Sequence, residues 1–335
     1  MSAARLTPES AKSLLNSIDY ILLDIDGVLW SGDHVFEGVP ETLQWLRKQG
    51  KQVRFLSNNA TMSRTTMAKK FIKRGLEGVT TSETYTSAYA AALQLKKYHQ
   101  GGSVNENILV VGEQGLHDEI RAVLAAGFYT YGLELNNRKF VPNELSNAMK
   151  SGIVPPPTAS ASTEPLSIPN LKCTTVVAGL DLHLNMYKIA VAGLVLQQPN
   201  VRFVATNEDP QYPVGMDGVL VPGAGTGIAA LSTVSGRSPD IVCGKPHLHM
   251  MKLLFERENI KDPRRCLMIG DRLSTDIAFG NGAGCQTMLV LTGCEGPKEV
   301  AAAQALGGEK QKILTPNYIA DSLNALRLLA SQAKL

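Results

Sequence analysis

The segment Tyr20-Ile-Leu-Leu-Asp24-Ile-Asp26-Gly27 joins a short, strongly apolar run to two carboxylates two positions apart. Such a run fits a strand buried on both faces of a sheet. Residues i and i+2 of an extended chain project to the same side, so Asp24 and Asp26 can face one site. Functional groups of open parallel sheets gather beyond the carboxyl ends of the strands, which is where this pair stands. Asp-x-Asp alone is equally readable as a turn whose carboxylates cap the backbone. The apolar strand in front and Gly27 behind favour a site.

Three further apolar runs end in comparable residues. Val53-Arg-Phe-Leu56 leads into Ser57-Asn58-Asn59, Asp240-Ile-Val-Cys243 into Gly244-Lys245-Pro246, and Arg265-Cys-Leu-Met-Ile269 into Gly270-Asp271-Arg272. Apolar runs alternate with helical stretches along the chain, the rhythm of an α/β protein with a parallel sheet. The spacing predicts helices over 40–50, 61–75 and 85–98, then a linker at Gly101-Gly102-Ser103. The alternation restarts with strands at 108–111, 174–178 and 201–204 and helices at 116–126 and 186–196. It changes again near Gly236, with helices at 247–258 and 276–283 and a strand at 287–291. The expected organisation is therefore a catalytic core of residues 1–103 and 237–335 with a cap, 104–236, inserted in it. Within the cap, 151–169 contains Pro155-Pro156-Pro157 among Ser, Thr and Ala. That composition supplies no core and reads as a mobile surface insertion.

Composition removes several alternatives. With 33 basic and 30 acidic residues the net charge is +3, too mild for a nucleic-acid partner. No apolar run approaches the roughly 18 residues of a membrane span, and the first 18 residues lack the continuous apolar stretch of a secretory signal. The five cysteines form no C-x-x-C pair and read as reduced core thiols of a cytosol-like compartment. His247 and His249 read as loop or helix-start residues. Pro222-Gly-Ala-Gly-Thr-Gly227 departs from the G-x-G-x-x-G spacing of dinucleotide sites and reads as a turn opening a cap helix.

The remaining polar residues suit phosphoryl chemistry. One carboxylate of the Asp24/Asp26 pair can attack phosphorus, and the other can protonate the departing alkoxide and later take a proton from water. Asp271 adds a third acidic group. Three carboxylates beside a phosphate dianion require a divalent cation, and all-oxygen ligands suit Mg²⁺. Asp276 could orient the metal's waters or simply favour the helix N-terminus it opens. The Ser57 hydroxyl and the Lys245 ammonium can bind phosphoryl oxygens.

Asp24-x-Asp26-Gly-Val-Leu-Trp30, Ser57-Asn-Asn59, Gly244-Lys-Pro246 and Gly270-Asp-Arg-Leu-x-Thr-Asp276 together resemble the four motifs of haloacid dehalogenase superfamily phosphatases. They are most similar to the branch holding 4-nitrophenyl, phosphoglycolate and pyridoxal phosphatases, over nearly the whole chain. The resemblance implies a Rossmann-like core with an inserted α/β cap, Asp24 as nucleophile, Asp26 as acid/base, and Ser57 and Lys245 on the phosphate. It also implies Mg²⁺ on Asp24, Asp271 and the backbone carbonyl of Asp26, with Asn58 and Asn59 lining the phosphate site and Asn58 also positioning the nucleophile region. Ser274 stands where the family often has Asp, and Ala60 where it often has Ser.

Gly179-Leu-Asp181-Leu-His183 resembles the family's cap loop, which implies that His183 reaches the substrate; the alternative is a solvated turn residue. Lys188 is expected on the surface. The implied activity is Mg²⁺-dependent hydrolysis of a small phosphate monoester of the 4-nitrophenyl or phosphoglycolate type. A pyridoxal phosphate phosphatase, a non-catalytic scaffold and a phosphate transferase are the alternatives. No nucleic acid or membrane partner is expected, and the family suggests a homodimer through the cap. The tail Ala333-Lys334-Leu335 resembles a Ser-Lys-Leu peroxisomal address, the alternative to a cytoplasmic location being import by that route.

Overall fold

The computed structural model describes residues 3–99, 106–124, 128–140, 142–143, 145–146, 173–214 and 219–333. The Gly101–Ser103 linker, the 151–169 insertion and the tail residues Lys334 and Leu335 lie outside them. Seven strands form one parallel sheet. Their spatial order is Ala4–Arg5, Tyr318–Ala320, Gln286–Val290, Cys266–Gly270, Tyr20–Leu23, Gln52–Ser57 and Thr84–Thr86. Strands from both ends of the chain thus share one sheet, with Tyr20–Leu23 paired on one side to Cys266–Gly270 and on the other to Gln52–Ser57.

The period of two along these strands explains why they are apolar throughout. Ile21, Leu23, Val53, Phe55, Leu267 and Ile269 enter a core beneath the helices Pro8–Ser17, Val39–Lys48, Arg64–Lys73 and Leu323–Gln332. Leu22, Leu56, Cys266 and Met268 point the other way, into a second core with the helices Ser87–Tyr98 and His249–Glu258. Among the described residues no helix is long and apolar enough to cross a membrane.

A second parallel sheet has the order Ile241–Val242, Arg202–Ala205, Cys173–Ala178, Glu106–Val111 and Phe128–Tyr131. One face packs through Ile108, Val110, Val177 and Val204 into the core shared with Ser87–Tyr98. The other is covered by the helices Met186–Leu196 and Ala224–Ser235. The Gly-rich run Pro222–Gly227 opens the latter helix, as its spacing predicts.

Several boundaries differ from expectation, two of them at sheet edges. Ile241–Val242 belongs to the second sheet, not to the core that was expected to resume at 237. The pairing continues past it, with Cys243 N–H donating to Ala205 O at 2.9 Å and Gly244 N–H to Thr206 O at 2.6 Å. The third helix begins at Ser87 and not at Tyr85, because Thr84–Thr86 completes the edge of the larger sheet and the Thr86 hydroxyl accepts the Tyr89 N–H as a cap.

Candidate active site

Asp24 comes directly after the strand Tyr20–Leu23, and Asp271 and Asp276 come after its neighbour Cys266–Gly270, so the sheet itself brings the three together. One carboxylate oxygen from each lies within 4.8 Å of the others. Lys245 enters between them, its Nζ donating to Asp24 Oδ1 and Asp276 Oδ1 at 2.6 Å each. The lysine side chain is 3% exposed, Asp276 1% and Asp24 13%, so Asp24 is the carboxylate most open to a ligand.

Glycines permit this crowding. Gly27 has φ +83°, and a Cβ there would stand 2.4 Å from Asp271 Oδ2. A Cβ on Gly293 would stand 2.0 Å from the same oxygen. Asp271 is also held from the loop after Gln286–Val290, where Cys294 N–H donates to its Oδ2 at 2.8 Å. Asp276 lies on a π-helical turn, Leu273–Ile277, and its Oδ2 accepts the Arg272 N–H at 3.2 Å. Ser274 is exposed on that turn, so the departure there leaves the buried carboxylates untouched.

The electrostatics arise from one ammonium facing three acids. Burial, then the negative charge of Asp276, raises the Asp24 carboxyl well above the usual range despite Lys245. Burial and Asp276 push Asp271 up to about 6. Burial would lower the Lys245 ammonium, but Asp24 and Asp276 outweigh it and hold it above its ordinary value. The fully ionised site keeps surplus negative charge on oxygen donors, and that donor set fits a hard divalent cation.

Asp26 is exposed, and its carboxylate is not one of the three that converge. The indole of the buried Trp30 holds it, Nε1–H donating to Asp26 Oδ1 at 2.7 Å. Ser57 is 4% exposed at the end of its strand, and its Oγ accepts the Asn59 N–H at 3.1 Å.

Both asparagines expected to line the phosphate site are hydrogen-bonded within the protein. Asn58 Oδ1 accepts the Lys245 N–H at 2.8 Å, while its Nδ2 donates to Lys245 O at 2.9 Å and to Asp209 Oδ2 at 3.0 Å. Its amide is engaged at both ends by the protein, by the backbone of Lys245 and the carboxylate of Asp209. Asn59 Oδ1 accepts from the Thr61 N–H, the Thr61 hydroxyl and the Met62 N–H, a turn that keeps Thr61 out of the helix starting at Arg64.

In the cap, His183 is exposed on a loop, and its ring makes no hydrogen bond among the described residues. The loop is braced by Asn185 Nδ2, which donates to Leu135 O at 2.9 Å, and by Glu113 Oε1, which accepts the Leu182 N–H at 2.8 Å. Lys188 is not a surface residue. It is 1% exposed and donates to Asp181 Oδ2 at 2.5 Å, because its position on Met186–Leu196 turns it inward beneath the loop. Cys294 likewise departs from the expected core thiols: it is exposed, whereas Cys173, Cys243, Cys266 and Cys285 are buried.

Sequence reasoning missed Trp30, Asp209 and the Cys294 backbone. Trp30 had a signal, since its spacing of four from Asp26 lies within one tight turn. Asp209 had none, being 151 residues from the asparagine it binds.

A carboxylate trio at the ends of adjacent parallel strands, joined by one buried lysine, is the arrangement of a hydrolase acting on phosphoryl groups. The chain belongs to the haloacid dehalogenase-like hydrolase family, whose model matches residues 21–125, with a second model of HAD-like hydrolases matching 242–326. It is 36% identical to phosphoglycolate phosphatase 2 of Arabidopsis thaliana over 88% of this chain and 89% of that protein. It is 33% identical to 4-nitrophenylphosphatase of Schizosaccharomyces pombe over 96% and 97%, and 33% identical to human chronophin over 95% of each. Among solved structures it is similar to glycerol phosphate phosphatase of Mycobacterium tuberculosis in complex with magnesium, with a TM-score of 0.69, 26% identity and coverage of 96% of this chain and 81% of that one.

Proposed function

We propose that the protein is a Mg²⁺-dependent phosphomonoesterase that works through an aspartyl-phosphate on Asp24. The observation that carries this reading is the placement of Lys245 Nζ at 2.6 Å from both Asp24 and Asp276, beside Asp271. Asp24 is the most accessible of the three carboxylates, as a nucleophile requires. When bound, Mg²⁺ held by Asp24, Asp271 and the Asp26 carbonyl supplies positive charge that offsets the repulsion between phosphate and carboxylates. Lys245 orients the Asp24 carboxylate and offers its ammonium to a phosphoryl oxygen. Ser57 adds a hydroxyl at the neighbouring strand end. Asp26, steadied by Trp30, gives its proton to the leaving alkoxide and takes one from the water that cleaves the acyl phosphate.

The substrate class is a small phosphate monoester of the 4-nitrophenyl or phosphoglycolate type, with His183 on the cap loop facing it. The similarity to chronophin along 95% of the chain makes pyridoxal phosphate the second candidate. Hydrolysis of 4-nitrophenyl phosphate with Mg²⁺ tests the reading. Wild type should turn over, Asp24→Asn should not while keeping its circular dichroism spectrum, and full activity of that variant would refute the nucleophile. A panel of phosphorylated metabolites ranked by kcat/KM then separates the two substrate readings.

A further inference from the structure

The residues that surround Asn58 come from three places in the chain. Its backbone carbonyl accepts the Ser87 hydroxyl at 2.6 Å and Asn207 Nδ2 at 2.8 Å. Its side chain closes a two-bond clamp on the backbone of Lys245 and donates to both oxygens of Asp209, at 3.0 and 3.2 Å. Asn207 and Asp209 lie on the turn that leaves the strand Arg202–Ala205 of the second sheet. Asn207 and Asp209 are themselves linked, Asp209 N–H donating to Asn207 Oδ1 at 3.2 Å.

The Gly-rich run seats this turn. Gly223 N–H donates to Pro210 O at 2.8 Å and Gly225 N–H to Asp209 O at 2.9 Å. A Cβ on Gly223 would stand 2.2 Å from Asp209 O, and one on Gly225 2.6 Å from Glu208 O. The backbone of the cap helix approaches 208–210 as closely as it does only because those positions carry no side chain.

We infer that Asp209 is a positioning residue for Lys245: by accepting the Asn58 amide it fixes the clamp that presents the Lys245 ammonium to Asp24 and Asp276. Lys245 N–H needs Asn58 Oδ1, and Asp209 needs Nδ2, so the two acceptors and one donor admit a single orientation of the amide. Without Asp209 the amide loses one of the partners that hold it, and the backbone of Lys245 gains freedom. An ammonium that must meet two carboxylates at 2.6 Å tolerates little of that. Asp209 also ties the seat of the cap helix to the catalytic lysine. The inference rests on the phosphatase reading for its effect on turnover, but the clamp stands on its own geometry.

The test measures kcat, KM and amide hydrogen exchange in the full chain. Asp209→Ala should lower kcat ten- to a hundredfold for 4-nitrophenyl phosphate with KM moving less than threefold. Exchange at the Lys245 amide should accelerate while the amides of Tyr20–Leu23 stay protected. Asp209→Asn keeps an oxygen acceptor and should recover kcat to within threefold of wild type. Gly225→Ala, which displaces the turn but keeps every clamp side chain, should reproduce the loss, and carries the test if Asp209→Ala fails to fold. An Asp209→Ala kcat within threefold of wild type, or an Asp209→Asn variant as impaired as Asp209→Ala, would overturn the proposal. If wild type cleaves no phosphate ester, the functional reading falls. Exchange then decides the clamp by itself: protection lost in Asp209→Ala and kept in Asp209→Asn supports it, and protection kept in both sinks it.

Discussion

Trp30 Nε1 donates to Asp26 Oδ1 at 2.7 Å, so the carboxylate nearest solvent in the site is oriented by one of the most deeply buried side chains in the protein. The indole cannot turn, because it packs edge-on to Phe71 with ring centroids 5.1 Å apart. A fixed donor selects one rotamer of Asp26 and leaves its second oxygen for proton transfer. Trp30→Phe keeps an aromatic ring against Phe71 and deletes the N–H. A hydrogen bond to a charged group is worth about 1.5–3 kcal/mol, so kcat should fall roughly ten- to a hundredfold with KM little changed. Steady-state kinetics with 4-nitrophenyl phosphate check this, and an unchanged kcat would remove Trp30 from the chemistry.

Mg²⁺ should stabilise the folded protein against heat, because the proposed ligands Asp24, Asp271 and the Asp26 carbonyl are brought together only in the fold. At a hundredfold excess over Kd the gain is about 2.7 kcal/mol. Asp271→Asn should lose the stabilisation by Mg²⁺ yet melt no lower than wild type without metal, since one of three mutually repelling acids is neutralised. Thermal melts with Mg²⁺ and with EDTA separate the four cases. Equal shifts in both proteins would place the ion elsewhere.

The buried pair Lys188–Asp181 makes a prediction about the cap. Lys188→Met leaves the Asp181 carboxylate, 2% exposed, without its counter-charge. Such a loss costs about 3–5 kcal/mol. Combining it with Asp181→Asn, which retains an acceptor for the His183 N–H, should recover most of the stability. Urea unfolding of the two variants measures the difference. A Lys188→Met protein as stable as wild type would show that the pair is not desolvated.

His117 sets a pH dependence. It is 1% exposed, and among the described residues neither ring nitrogen has a hydrogen-bond partner. Burial, with Arg121 and Lys188 nearby, pushes its imidazole down to about 3. The unfolded chain binds a proton at His117 below about pH 6.5 and the folded chain does not, so stability falls as the pH drops through that window. The slope approaches 1.4 kcal/mol per unit at the acid end, which amounts to about 1.6 kcal/mol between pH 6.5 and 5. His117→Leu should flatten that part of the curve. Unfolding midpoints at the two pH values provide the check, and parallel curves would refute it.

The parallel sheet, the four polar strand ends and the identity of Asp24, Lys245, Asp271 and Asp276 were legible because each is written locally. An apolar run buried on both faces lacks the alternation of a surface strand, and the residues just after such a run stand at the sheet's carboxyl edge. The partners of Asn58 were hidden for the opposite reason. Its neighbours in sequence advertise a phosphate loop, while its partners Asp209 and Lys245 lie 151 and 187 residues away. Lys188 failed similarly: a lysine on a helix reads as solvated unless the acid beneath it is known, and Asp181 belongs to the preceding loop. The Ile241–Val242 boundary was hidden because a two-residue strand has too short a pattern to say which sheet it joins.

That boundary bears on how such proteins can be recombined. Lys245 sits just beyond an edge strand whose hydrogen bonds run to Arg202–Ala205 and then to Thr206, so the lysine of the carboxylate cluster is hung from the second sheet. A chimera that grafts a foreign cap between 104 and 236 would sever this ladder and cut between Asp209 and the lysine it steadies. Splicing after Pro246 would transplant the cap with its own lysine and turn. The inserted lobe and the lysine of the site are to that extent one heritable module, and new specificities are to be sought by exchanging the whole of it.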